Sequence, residues 1–318
     1  MILVTGATGF VGRAVVAELA RKGVAVRACV RRPDAVVPEG AQSVQIADLS
    51  AELNWRDALA GVSAVVHAAA RVHVMDDAAA DPLAEFRRIN VAGTLNLAEQ
   101  AAAAGVIRFV FISSIKVNGE ATVPGRPFSA GDTPAPLDAY GISKMEAEQG
   151  LREIARRTGM EVAIIRPPLV YGPGVKANFQ AMMRWLKRGI PLPLGAIHNA
   201  RSLVALDNLV ALIVACISHP AAANQTFLVS DGEDLSTTEL LRRMGRAMGR
   251  PARLIPLPAA LLRLGASAVG KPAIAQRLCG SLQVDISKTK ELLAWHPPLS
   301  VDEGLRQAAG DYRSEASI

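Results

Sequence analysis

The amino-terminal half of the chain alternates short, continuous apolar runs with longer stretches in which apolar residues return every three or four positions. The runs are "ILVT", "VAVRACV", "SVQIA", "AVVHAAA", "IRFVFISS" and "EVAIIRPP". The helical period runs through "FVGRAVVAELARKG", through the segment from about Asp81 to Ala104, and through one opening near Ala139. Apolar runs without polar alternation suit strands buried on both faces. Strand–helix alternation predicts an α/β fold with a doubly wound parallel sheet. After about Arg166 the pattern changes: prolines gather in "RPPLVYGPG", "GIPLPLG", "HPAAAN" and "RLIPLPAALL", helices shorten and strands thin out. This predicts a first domain over residues 1–168 and a smaller, mixed α/β lobe over 169–318, with 200–220 returning to the first.

Composition narrows the partners. The 318 residues are 50% hydrophobic, 20% charged and only 4% aromatic, which is globular rather than disordered. The net charge is +6, but the arginines are spread along the chain, which suits an anionic substrate and argues against nucleic acid. Cys29, Cys216 and Cys279 lie far apart without metal-ligand spacing, and they read as buried apolar residues in a reducing cytoplasm. No metal site is expected. The apolar stretch "LVALDNLVALIVACI" is short and interrupted by Asp207 and Asn208, so no membrane insertion is expected. Asp207 itself reads as a helix N-cap. The opening "MILVTGATGFVG" lacks the basic segment of a secretory signal and runs straight into a glycine turn.

That turn, "VTGATGFVG", places Gly6, Gly9 and Gly12 between the first strand and the first helix. Glycines there let the backbone approach a pyrophosphate, whose charge the helix N-terminus favours. The expected domain is therefore of Rossmann type. Strand two of an NAD site usually ends in an acidic residue that holds the ribose. Here Val30 stands in that place, followed by Arg31 and Arg32, two guanidiniums suited to a 2′-phosphate. The cofactor is thus NADP or NAD, with NADP favoured. Asp48 in "ADLS" suits either the adenine edge or a helix N-cap.

"DAYGISKMEAE" sets Tyr140 four residues before Lys144, one helical turn apart on one face. A nearby ammonium and a nicotinamide cation would lower the phenol from its usual pKa of about 10 and let it exchange a proton with a substrate alcohol. "FVFISS" ends a strand with Ser113 and Ser114, where a hydroxyl can hold a substrate oxygen as charge develops. "TGATGFVG", "VVHAAA", "NVAGTLNL", "FVFISSIKVNG", "YGISK" and "RPPLVYGPG", in this order, resemble the extended short-chain dehydrogenase/reductase family of nucleotide-sugar epimerases, dehydratases and reductases over nearly the whole chain.

The resemblance implies Tyr140 as general acid/base, Lys144 as its partner, Ser114 as the catalytic serine, and Asn90 as a residue that positions the lysine through water. It implies cofactor contacts from Gly6, Thr8, Gly9, Phe10, Val11, Gly12, Arg31, Arg32, Asp48, Leu49, Ala68, Ala69, Ala70, Ser113, Tyr140, Lys144 and Pro167. His67 and His73 border this region and read as structural histidines. Substrate contacts are implied for Ser114, Asn178, Arg201 and Arg277, the last three toward a sugar-nucleotide diphosphate; Trp295 reads as packing. The chain departs from the family at Asn118, where a tyrosine is usual, and in the missing acidic residue after strand two. Ile115 and Lys116 follow Ser114, so no carboxylate pair for dehydration is offered.

The expected function is hydride transfer at C4 of a UDP-hexose, with an N-acetyl amino sugar favoured. A 4-keto reductase is preferred to a 4-epimerase with retained NAD, because Arg31 and Arg32 favour NADPH. A non-catalytic dinucleotide-sensing protein is the reading from another class. The resemblance further implies a homodimer through the helices around 81–104 and 139–158, in the cytoplasm.

Overall fold

The computed structural model describes residues 1–72, 81–123, 125–268, 270 and 272–315; His73 lies outside these. Ten strands are found among them: β1 Ile2–Thr5, β2 Val26–Val30, β3 Ala41–Gln45, β4 Ala64–His67, β5 Arg108–Ile112, β6 Glu161–Arg166, β7 Leu169–Tyr171, β8 Arg201–Ala205, β9 Thr226–Leu228 and β10 Asp234–Leu235. Seven form one all-parallel sheet in the order β3-β2-β1-β4-β5-β6-β9. This is the Rossmann-type arrangement that the apolar runs predict, with its topological switch between β1 and β4. Ligands bind at the carboxyl ends of the strands beside such a switch.

Every residue of β1, β4 and β5 is buried, as a sheet covered on both faces requires. One face carries the helices Phe10–Arg21 and Leu206–Ser218, closed by Leu293 and Trp295. The other carries Gly93–Ala103 and Ala139–Thr158. The second sheet, β10-β8-β7, is mixed and belongs to a separate core around Phe179, Leu194, Leu241 and Leu305. The chain thus leaves the large sheet after β6, builds β7 and β8 elsewhere, and returns with the helix Leu206–Ser218 and edge strand β9.

Two local expectations meet different outcomes. The long helix after Asp81 is N-capped by Asp81, whose side chain accepts from the Ala84 amide at 3.0 Å, but a π-helical turn over Arg87–Ala92 interrupts it. Asp207 is no N-cap. The cap of Leu206–Ser218 is Ala205, without a side-chain bond, and Asp207 lies exposed in the first turn. The neighbouring Asn208 does the fastening: buried, it donates to Asp231 at 2.7 Å and exchanges two hydrogen bonds with the Leu299 backbone.

Candidate active site

The glycine turn is built by close approach. Gly6 has φ +66°, and a Cβ there would lie 2.7 Å from the Ala69 amide nitrogen. A Cβ on Gly12 would lie 2.2 Å from the Gly6 carbonyl oxygen. The turn is therefore pressed between the first helix and the segment Ala68–Ala70 after β4. The N-cap of the helix Phe10–Arg21 is Gly9, with no side-chain bond to its first amides. A backbone cradle with a helix N-terminus behind it fits a dinucleotide pyrophosphate.

His67, at the end of β4, is fully spent on structure. Its Nδ1 lies 2.7 Å from Thr5 Oγ1 and its Nε2 2.9 Å from Thr94 Oγ1, and its ring stacks on Phe111. Burial, aided by the Lys144 charge, pushes its pKa down to about 3. Beyond β2, Arg31 turns to Asp48, with an Nη1–Oδ1 distance of 3.0 Å, and both side chains are well exposed. Arg32 lies 3.9 Å from Asp34. No helix begins at Asp48, so the capping alternative for it falls. Leu49 is buried beneath it against Gly93.

At the carboxyl end of β5 the two serines part. Ser113 donates to Glu148 Oε1 at 2.6 Å, inside the protein. Ser114 accepts from the Lys116 amide at 3.3 Å, and its hydroxyl is near enough to the Tyr140 phenol to lower the phenol's pKa. Asp138 caps the helix Ala139–Thr158 by accepting from the Gly141 amide at 2.7 Å, which fixes where Tyr140 enters. Asp138 is itself held by Lys116, which also reaches Glu120 at 3.2 Å. One turn on, Lys144 is buried; its Nζ donates to the Ile112 carbonyl at 2.8 Å and lies 4.4 Å from the Phe111 ring centre.

These environments set the protonation. Burial pulls Lys144 down to about 7 against the opposing pull of Glu148. Burial and the Asp138 charge push Tyr140 up to about 12, and the Ser114 hydroxyl opposes them. Lys144 is not among the causes of that shift, so the lowering of the phenol expected from it is not found in the protein by itself. Asn90 sits in the π turn, where it bonds the Arg71 backbone at 2.8 and 3.0 Å and Ser143 Oγ at 3.0 Å; its direct partners do not include Lys144. Pro167, after β6, accepts from the Ile115 amide at 3.0 Å and closes the floor beside Ser114.

The residues that hold this site together escaped the sequence reading. Glu148 accepts from Arg166 Nε at 2.9 Å as well as from Ser113, and Arg166 Nη1 donates to Asn118 Oδ1 at 2.9 Å. The asparagine in the place of the usual tyrosine is thus an acceptor for a buried guanidinium. The available signals were an arginine ending the buried strand "EVAIIR" and a glutamate one turn beyond Lys144.

In the smaller lobe, Arg201 Nη1 donates to the carbonyls of Arg277 at 3.0 Å and Gly280 at 3.2 Å, and burial lowers its pKa. The Arg277 side chain is exposed, and Asn178 stands in the first turn of the helix Ala177–Arg188. Beside Arg201 and Arg277 a cavity of about 720 Å³ is lined by His198, Asn199, Arg263, Gln276 and Ser281, which sequence patterns did not single out.

Comparison with known proteins shows the family. The model of the NAD dependent epimerase/dehydratase family matches residues 2–230. A UDP-glucose 4-epimerase of Vibrio cholerae is 51% identical over 97% of this chain and 94% of that protein. The structure of MoeE5 in complex with UDP-glucose and NAD superposes with a TM-score of 0.77 at 27% identity, covering 99% of both chains. A UDP-glucose 4-epimerase from Thermotoga maritima, bound to UDP-glucose, has the same fold, with a TM-score of 0.78 at 23% identity over 99% of each chain. The chain belongs to the NAD dependent epimerase/dehydratase family.

Proposed function

We propose that the chain is a UDP-hexose 4-epimerase working with retained NAD. The observation that carries this reading is the assembly at the carboxyl edge of β5, where the Ser114 hydroxyl acts on the Tyr140 phenol and Lys144 is anchored one turn away. The 51% likeness to a UDP-glucose 4-epimerase supports epimerisation, and the complex of MoeE5 supports a UDP-sugar and NAD. Arg31 supports NAD as well, since its bond to Asp48 sets a carboxylate beside the guanidinium expected to take a 2′-phosphate.

The bound dinucleotide supplies a hydride acceptor and donor for C4 of the sugar. The chain does the rest. Ser114 holds the C4 oxygen, and Tyr140 takes its proton and returns it when the sugar is reduced on its other face. Lys144, charged beside the phenolate, keeps that form accessible. Arg201, Arg277 and Asn178 are assigned to the diphosphate, and the adjacent cavity to the nucleoside. The 4-keto reductase reading retains one support, Arg32, which is exposed and has, among the described residues, only Asp34 near it, at 3.9 Å.

The test is turnover of UDP-galactose, UDP-glucose and UDP-N-acetylglucosamine by the purified protein without added cofactor. Interconversion of 4-epimers, together with release of NAD on denaturation, is the expected result. Activity that requires added NADPH and consumes it would replace this reading with the reductase.

A further inference from the structure

The epimerase reading does not account for how charge is distributed over the chain. From Val162 to Leu206, and again from Leu240 to Val284, there is no Asp or Glu at all. These two stretches hold 14 of the 35 cations and none of the 29 acids, so the rest of the chain is net negative. The fold brings them together. Leu192 pairs with Leu254, the Leu192 amide donates to the Arg253 carbonyl at 2.8 Å, and Arg250 reaches the Lys187 carbonyl at 3.3 Å.

On the same part of the lobe lie large apolar side chains left in solvent. Trp185 and Ile190 flank the end of the helix Ala177–Arg188, and Ile255 lies beside Leu192. Leu261 and Leu264, 52% and 68% exposed, stand one turn apart on the helix Ala259–Ala268, which buries no residue. Exposed Arg184, Lys187, Arg188, Arg250 and Arg253 are interleaved with them. Among the described residues, none of these five has a carboxylate within ion-pair distance.

We propose that this face of the smaller lobe docks peripherally on an anionic lipid bilayer. Exposed Trp, Ile and Leu interleaved with cations that make no ion pair among the described residues match the interfacial region, where apolar groups enter the headgroup boundary and cations meet acidic lipids. Two copies of the same face would oppose like charges, which disfavours self-association through it. Nucleic acid would meet the cations but leave the leucines without a partner. No helix among the described residues is long and apolar enough to cross a membrane, so attachment is to the surface. Pro258 and Ala259, which open the exposed helix, also line the cavity, so docking sets that cavity beside the bilayer.

The test is co-sedimentation of the full chain with vesicles of phosphatidylcholine alone and of phosphatidylcholine with phosphatidylglycerol. Binding is expected only to the anionic vesicles and is weakened by salt, as charge attraction screened over about 10 Å at 0.1 M requires. Arg253→Glu lowers partitioning by about tenfold or more, and Leu261→Ser with Leu264→Ser lowers it comparably. Both variants keep the parent's thermal transition and its turnover of free UDP-sugar. Failure to bind anionic vesicles at low salt, or variants that bind like the parent, would overturn the proposal. So would light scattering in which the leucine variant abolishes self-association, which would assign the face to a second copy. Tighter binding to duplex DNA than to the vesicles would overturn it too.

Discussion

Removing the Glu148 carboxylate should cost more than any other single change near the site. Glu148 has no exposed surface, and it holds Ser113 at 2.6 Å, Arg166 Nε at 2.9 Å and Arg152 at 3.1 Å. In Glu148→Ala, Arg152 can relax into water, because its side chain is 43% exposed. Arg166 cannot: it is 2% exposed and keeps only Asn118. Breaking a buried pair this way costs about 3–5 kcal/mol. Unfolding entropy of about 2 cal/mol/K per residue gives a chain of this size roughly 0.7 kcal/mol/K, so the melting temperature should fall by about 4–7 °C. Urea unfolding followed by tryptophan fluorescence measures the loss. Glu148→Met with Arg166→Met replaces the pair by apolar volume and should recover more than half of it. A single variant within about 1 kcal/mol of the parent, or a double variant as unstable as the single, would refute the view that an uncompensated buried guanidinium sets the cost.

Tyr140→Phe should lower turnover by about 10²–10⁴-fold with the fold and UDP binding kept, measured by a coupled epimerisation assay; undiminished turnover removes the phenol from the proton transfer. Gly12→Ala places a Cβ 2.2 Å from the Gly6 carbonyl and should abolish NAD retention, read from the cofactor released on denaturation; normal retention would mean that the turn does not hold the pyrophosphate. His67 gives a pH signature. Its folded pKa of about 3 lies below the unfolded value, so only the unfolded chain takes a proton between the two. Stability should therefore fall by up to about 1.4 kcal/mol per pH unit as pH drops below about 6.5. Urea midpoints across that range in parent and His67→Gln check this, and equal slopes would exclude His67 as the source.

The parallel sheet, the glycine turn and the Tyr140–Lys144 pair could be read from sequence because each is a local consequence of spacing. Buried parallel strands need unbroken apolar runs, a pyrophosphate turn needs glycine where a Cβ would collide, and four residues make one helical turn. What the chain does far apart in sequence was decided only by folding. Glu148, Arg166 and Asn118 meet because strand, helix and loop converge behind β5, and no spacing rule links positions that distant. Arg31 looked free for a phosphate until the fold set Asp48 beside it. The π turn at Asn90 and the failure of Asp207 as a cap reflect tertiary contacts overriding local preference. The two acid-free stretches are visible in the sequence, but that they lie side by side follows from the pairing of Leu192 with Leu254.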